Sequence, residues 1–141
     1  MRYLGLDLGS RTLGVAVSDK TGLIASNYQT IRHNEEYDRL LFEVKKLVEE
    51  LEIDAIVLGF PKNMNNTIGY KGELSLQFQK KLEEVLSIPI YLQDERLTTK
   101  IATDMLIQGN VSRKNRKKVV DSVAATVILQ SYLDRSDKNE K

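Results

Sequence analysis

The 141-residue chain contains no cysteine, which rules out a disulfide framework and any thiolate-bound metal. Its single histidine, His33, lies in a polar linker where a plain surface role is expected. Neither a histidine-rich zinc site nor a histidine-centred catalytic triad is therefore expected. No apolar run approaches the roughly 20 residues of a membrane span, and the N-terminus lacks a signal-peptide core. The expectation is a cytoplasmic protein with no membrane partner. An excess of one charge is missing too: 21 Lys and Arg against 20 Asp and Glu give a net +1. No whole-surface field attracts nucleic acid, so any such binding must come from a local patch.

What remains is a chain with 41% hydrophobic and 29% charged residues, the composition of a soluble globular protein. One domain over residues 1–133, followed by a polar tail over 134–141, fits the length. Tyr3 to Leu8 and Leu13 to Val17 flank Gly9-Ser10-Arg11-Thr12 and read as a β-hairpin. Leu23 to Thr30, after the turn Asp19-Lys20-Thr21-Gly22, extends it to a three-stranded antiparallel meander. Leu40, Leu41, Val44, Leu47, Val48 and Leu51 recur at helical spacing, which predicts an amphipathic helix over Glu35 to Leu51. Ala55 to Leu58 reads as a strand covered on both faces, and Phe60 to Gly72 as a polar loop. A helix over Glu73 to Leu86, a buried strand over Ile88 to Asp94 and a helix over Thr98 to Gln108 follow. The last helix spans Lys118 to Leu133. The aromatics Tyr3, Phe42, Phe78 and Tyr91 fall at core-like positions.

This βββ-α-β-α-β-α-α order predicts an α/β fold: a five-stranded mixed sheet flanked by helices. Three antiparallel strands come first, then two parallel crossover strands, the fourth lying beside the first. Sites in such sheets lie beyond the carboxyl ends of the parallel strands. Three acids stand at the margins of hydrophobic elements: Asp7 in the first strand, Glu95 after Ile90 to Gln93, and Asp121 after Val119-Val120. A carboxylate among apolar residues is costly to bury unless something pairs with it, and a metal ion is one such partner. The three together suggest a carboxylate metal site. Alternation sends Asp94 and Glu95 to opposite faces of their strand, and the spacing alone does not choose between them.

Four segments in register, GLDLGSRTLGVAVSD, GFPKNMNNTIG, DERLTT and KKVVDSVAATVILQSYL, carry a resemblance over nearly the whole chain, from about Arg2 to Leu133. They resemble the YqgF family, itself similar to the RuvC-type Holliday-junction resolvases of the RNase H-like superfamily. The resemblance implies an RNase H-like fold and a metal-dependent nuclease using Mg²⁺ (or Mn²⁺). It also implies a role in trimming the 5′ end of precursor 16S ribosomal RNA. Asp7, Glu95 and Asp121 occupy the family's acidic triad, and this pattern selects Glu95 over Asp94. The resolvases carry a further acid or histidine about one helical turn after the last aspartate, where this chain has Ala124 and Ala125.

Phosphodiester hydrolysis needs an activated water and charge stabilisation on the attacking and leaving oxygens, which two divalent ions held by carboxylates supply. Mg²⁺ prefers oxygen ligands and keeps several waters, so few carboxylates suffice. Ser10, Arg11 and Thr12 on the hairpin turn and Arg96 beside Glu95 are candidate phosphate contacts. The run Arg113-Lys114-Asn115-Arg116-Lys117-Lys118 holds five basic residues in six, just before Asp121. Arg113, Lys114, Arg116, Lys117 and Lys118 can neutralise backbone phosphates without reading bases. The expected partner is nucleic acid: structured RNA such as precursor rRNA, with branched DNA as the alternative, bound by a monomer or homodimer. Two other classes stay open on the residues, a non-catalytic nucleic-acid-binding module and a nucleotide-handling domain of the sugar-kinase type.

Overall fold

Period-two alternation makes strands of Tyr3–Leu8 (β1) and Thr12–Ser18 (β2), joined by a turn closed by the Gly9 N–H donating to the Thr12 carbonyl at 2.8 Å. The computed structural model describes residues 1–9, 11–60, 69–94 and 124–135. After β2 come β3 (Ala25–Arg32), α1 (Tyr37–Glu50), β4 (Ala55–Phe60), α2 (Tyr70–Val85) and β5 (Ile90–Asp94). A third described helix, α3, covers residues 124–135. The strands form one sheet in the order β3-β2-β1-β4-β5, antiparallel across β3-β2-β1 and parallel across β1-β4-β5. The expected five-stranded mixed sheet, with the fourth strand beside the first, is the one observed.

Several boundaries move, two of them for a visible local reason. β3 starts at Ala25 rather than Leu23, because the Asp19 carboxylate takes the N–H groups of Leu23 and Ile24 at 2.9 and 3.1 Å. Those donors serve the turn and not the ladder. α1 starts at Tyr37, since Glu35 sits at φ 61°, outside helical space. β4 runs on through Gly59 to Phe60. β5 begins at Ile90, two residues later than expected. α2 starts at Tyr70, so Gly72 lies inside the helix instead of in a loop. Gly72 is buried there, at a propensity deficit of about 1 kcal/mol relative to alanine. The helix expected over Thr98 to Gln108, the loop over 61–68 and the start of the last helix lie outside the described residues.

The sheet separates two cores. On one face Leu4, Leu6 and Leu8 of β1 pack with Leu13, Val15 and Val17 of β2, Ile56 and Leu58 of β4, and the inner residues of α1 and α2. On the other face Ala16 and Val57 meet Ala125, Ile128, Leu129 and Leu133 of α3. Of the aromatics expected in the core, Phe78 is buried. Phe42 is exposed on the outer face of α1, and Tyr91 is 40% exposed.

Candidate functional site

Strand register assembles the site. Asp7 is opposite Gly14 on β2. On its other side β1 pairs with β4 as Leu6↔Leu58, and the next step along both strands brings Asp7 level with Gly59. Gly59 pairs in turn with Gln93 on β5. The row across the sheet therefore reads Gly14, Asp7, Gly59, Gln93. Neither residue flanking Asp7 in this row has a side chain, and Asp7 itself is half-buried.

Face follows from alternation. Asp7 shares its side with Gly5 and Tyr3, which lie on the α3 side of the sheet. On β5, Tyr91 stacks on Tyr132 of α3 with ring centroids 5.5 Å apart, so Tyr91 and Gln93 also face α3. Ile90 and Leu92 pack in the opposite core, and Asp94 follows them to that side. Asp94 thus lies across the sheet from Asp7.

α3 lies across β1 with its C-terminal part near Tyr3, where Tyr132 tilts against the Tyr3 ring at 5.9 Å. Earlier in the helix, Leu129 and Ala125 cover Gly5. A Cβ on Gly5 would come within 2.8 Å of Leu129 Cβ and 3.2 Å of the Ala125 carbonyl oxygen. The helix thus runs against the direction of β1, and its N-terminal end heads toward the Asp7 end of the strand. Gln130 fixes its other flank to the sheet by accepting from the Ala25 N–H at 2.8 Å and donating to the Leu23 carbonyl at 3.0 Å. Ala124 and Ala125 are buried, as close helix packing requires.

The turn after Asp7 is clamped from the side by a residue whose role the sequence hid. His33 is buried, at 7% exposure, and is not the surface residue expected. Its Nδ1 accepts the Glu35 N–H at 3.0 Å, so in the neutral ring Nε2 carries the proton and donates it to the Gly9 carbonyl at 2.9 Å. The His33 N–H donates to the Arg11 carbonyl at 2.9 Å. Arg11 is exposed, and its guanidinium donates to Asn34 Oδ1 at 2.6 Å. Thr12 is half-buried at the head of β2. Segment 33–35 thus holds the hairpin turn that carries Arg11 and Thr12 beside Asp7. The only sequence signal for this was that a lone histidine precedes a helix start.

Of the candidate residues, Asp7, Arg11 and Thr12 fall within the described residues, and the hairpin brings them to one end of the sheet. Ser10, Glu95, Arg96, Arg113, Lys114, Arg116, Lys117, Lys118 and Asp121 lie outside them. Lys71, expected on a loop, is exposed in the first turn of α2. Among the described residues no three His, Cys, Asp or Glu side chains come together as a metal cluster. The donor chemistry around Asp7 nonetheless suits a hard cation. Alongside the carboxylate, the row holds the carboxamide of Gln93, buried at 9% exposure, whose Oε1 has no hydrogen-bond partner.

Residues 1–135 match the family model described as RuvX: Holliday junction resolvase. A Bacillus subtilis protein named "Putative pre-16S rRNA nuclease" is 55% identical over 135 residues, covering 95% of this chain and 98% of that protein. A Geobacillus relative of the same name is 54% identical over the same shares. Among solved structures, Thermus thermophilus RuvC superposes with a TM-score of 0.58 at 16% identity, covering 97% of each chain. The same protein in complex with a Holliday junction gives 0.60 at 14% identity, covering 97% of this chain and 96% of that one. At those identities the likeness establishes the RuvC, RNase H-like fold.

Proposed function

The chain belongs to the RuvX family, and from that premise we propose that it is a nuclease that processes the 5′ end of precursor 16S rRNA. The observation that carries the reading is Asp7, a half-buried carboxylate between two glycines, on the sheet face against which α3 packs. A residue packed for stability alone would be flanked by side chains. Asp7 is flanked by glycines on both neighbouring strands.

Divalent metal dependence goes with a RuvC-like nuclease, and Mg²⁺ or Mn²⁺ is the ion proposed here. Asp7 would hold it, with Glu95 and Asp121 completing the set. Support for Glu95 comes from Asp94, which faces the opposite core. Support for Asp121 comes from α3, whose N-terminal end heads toward Asp7. When bound, such ions neutralise charge at the scissile phosphate and activate the attacking water. The chain's own contribution is to fix the carboxylates, keep side chains away from the approaching backbone, and grip phosphates. Gly14 and Gly59 provide the clearance. Ser10, Arg11, Thr12 and Arg96 are proposed as contacts near the cut, and Arg113, Lys114, Arg116, Lys117 and Lys118 as a salt-sensitive grip farther along the strand. No helix among the described residues is long and apolar enough to cross a membrane. A cytoplasmic protein acting on structured RNA as a monomer fits this scheme. Symmetric cutting of branched DNA, the activity named in the family description, would call for a homodimer.

Two labelled substrates test this: a precursor 16S 5′ segment and a four-way DNA junction, each with Mg²⁺, Mn²⁺ or EDTA. Metal-dependent RNA cleavage is expected, with Asp7→Asn slower by roughly 100-fold or more, the equivalent of a few kcal/mol of lost charge stabilisation. Full activity in Asp7→Asn would overturn the site. Paired cuts in the junction without RNA cleavage would replace the substrate.

A further inference from the structure

Three side-chain atoms among the described residues are buried with no hydrogen-bond partner: Ser75 Oγ, Thr126 Oγ1 and Gln93 Oε1. The two hydroxyls sit on helices, where side-chain hydroxyls commonly bond to a carbonyl one turn back. A carboxamide oxygen on a strand has no such escape, and burying it without a donor is costly. Its own nitrogen is engaged, Nε2 donating to the Asp94 carbonyl at 3.5 Å, so the oxygen is the atom left without a partner. Gln93 lies in the same cross-strand row as Asp7 and on the same face, with only Gly59 between them. Two inter-strand spacings put the two Cα atoms roughly 9–10 Å apart. That gap suits a hydrated cation between two side chains better than a direct contact, since Mg²⁺ and Mn²⁺ sites retain waters.

We propose that Gln93 is a positioning residue of the metal site, its Oε1 accepting a hydrogen bond from a water on the cation that Asp7 holds. The neutral amide adds an oyxgen-lined wall without adding charge. It orients that water, as partners in the outer shell of metal sites do. The inference rests on the metal reading of Asp7 and deepens it.

Mn²⁺ binding to the full chain, followed by the loss of the free-ion electron paramagnetic resonance signal, tests it without any substrate. Wild type, Asp7→Asn, Gln93→Met and Gln93→Glu are compared, together with the Tm of each metal-free protein. Methionine keeps the shape of glutamine and removes the acceptor. Gln93→Met is expected to weaken Mn²⁺ binding roughly tenfold, with a metal-free Tm no lower than wild type, because an unpartnered polar atom has been removed. Gln93→Glu is expected to bind at least as tightly as wild type. Wild-type Mn²⁺ affinity in Gln93→Met, with Asp7→Asn defective, overturns the role of Gln93 and leaves the metal site standing. A lowered Tm in Gln93→Met with an unchanged Mn²⁺ affinity likewise makes Gln93 a packing residue only. If wild type takes up no Mn²⁺, the metal reading of Asp7 falls, and Gln93 falls with it.

Discussion

Along β1, Leu4, Leu6 and Leu8 face α1 and α2, while Tyr3, Gly5 and Asp7 face α3. The first set is continued across the sheet by Val15, Val17, Ile56, Leu58 and Ile90, a surface of large aliphatics with no polar interruption. The second is continued by Gly14, Ala16, Gly59 and Gln93, which are small or polar, and by Val57 and Tyr91 against α3. Both sets come from the same strands under the same hydrogen-bond ladder. One face is lined by large aliphatics, and the other uses small residues to bring a helix close and holds a half-buried carboxylate. Stability and chemistry are thus divided by the two-residue period of the strand, so adjacent substitutions should fail in different ways.

The sharpest break is expected between neighbours. Leu6→Ala removes a fully buried side chain from the aliphatic face and should cost about 2–5 kcal/mol in urea unfolding. Asp7→Asn, one residue on, should unfold within about 1 kcal/mol of wild type while losing cleavage. Equal destabilisation by both would dissolve the division.

A smaller effect is expected at Gly5, on the α3 side. An added Cβ would sit 2.8 Å from Leu129 Cβ, too close to be absorbed without movement of α3. Gly5→Ala should lower stability by about 1–3 kcal/mol, the usual range for overpacking. Hydrogen exchange should speed up in residues 124–135 before it does in α1. Uniform loosening would mean that the two faces are not energetically separate.

The smallest effect lies at the far end of β2. The exposed Asp19 carboxyl is held down at about 2 by the Thr21 hydroxyl and then by the Ile24 and Leu23 N–H groups. Because its folded-state value is depressed, the stabilisation is complete above the unfolded value near 3.8 and fades as pH falls toward 2. Wild type should exceed Asp19→Asn in stability at pH 5 and lose that advantage near pH 2. A difference that stayed constant with pH would assign the turn's effect to packing instead. Mn²⁺ binding at neutral pH should be the same in both proteins.

Much of this was legible in the chain itself. Apolar alternation in Tyr3–Leu8 and the helical recurrence of Leu40, Val44 and Leu47 report burial directly, so this strand and α1 could be read from them. Asp7 was legible because an acid inside an apolar run is conspicuous. Gln93 was not, because a glutamine near a strand end carries no signal until pairing sets it two strands from Asp7. His33 was misread for a related reason. Its partners are the backbone groups of Gly9 and Glu35, and backbone atoms leave no mark in a sequence. Phe42 shows the converse error, since an aromatic suggests a core while its position on α1 turns it to solvent. Boundaries drifted wherever a side chain captured main-chain donors, as Asp19 does at Leu23 and Ile24.

The docking of α3 also has a consequence in time. Its anchors reach back across most of the chain, Gln130 to Ala25 and Leu23, and Leu129 to Gly5. During synthesis the strands and the first two helices emerge before residues 124–135 exist, so the aliphatic half can consolidate first. The half that carries the proposed site waits for contacts of the longest sequence separation, which form slowly. A nascent chain therefore passes through a stage with a firm body and an unfinished blade. On the proposed reading, the site is completed only once residues 124–135 have docked.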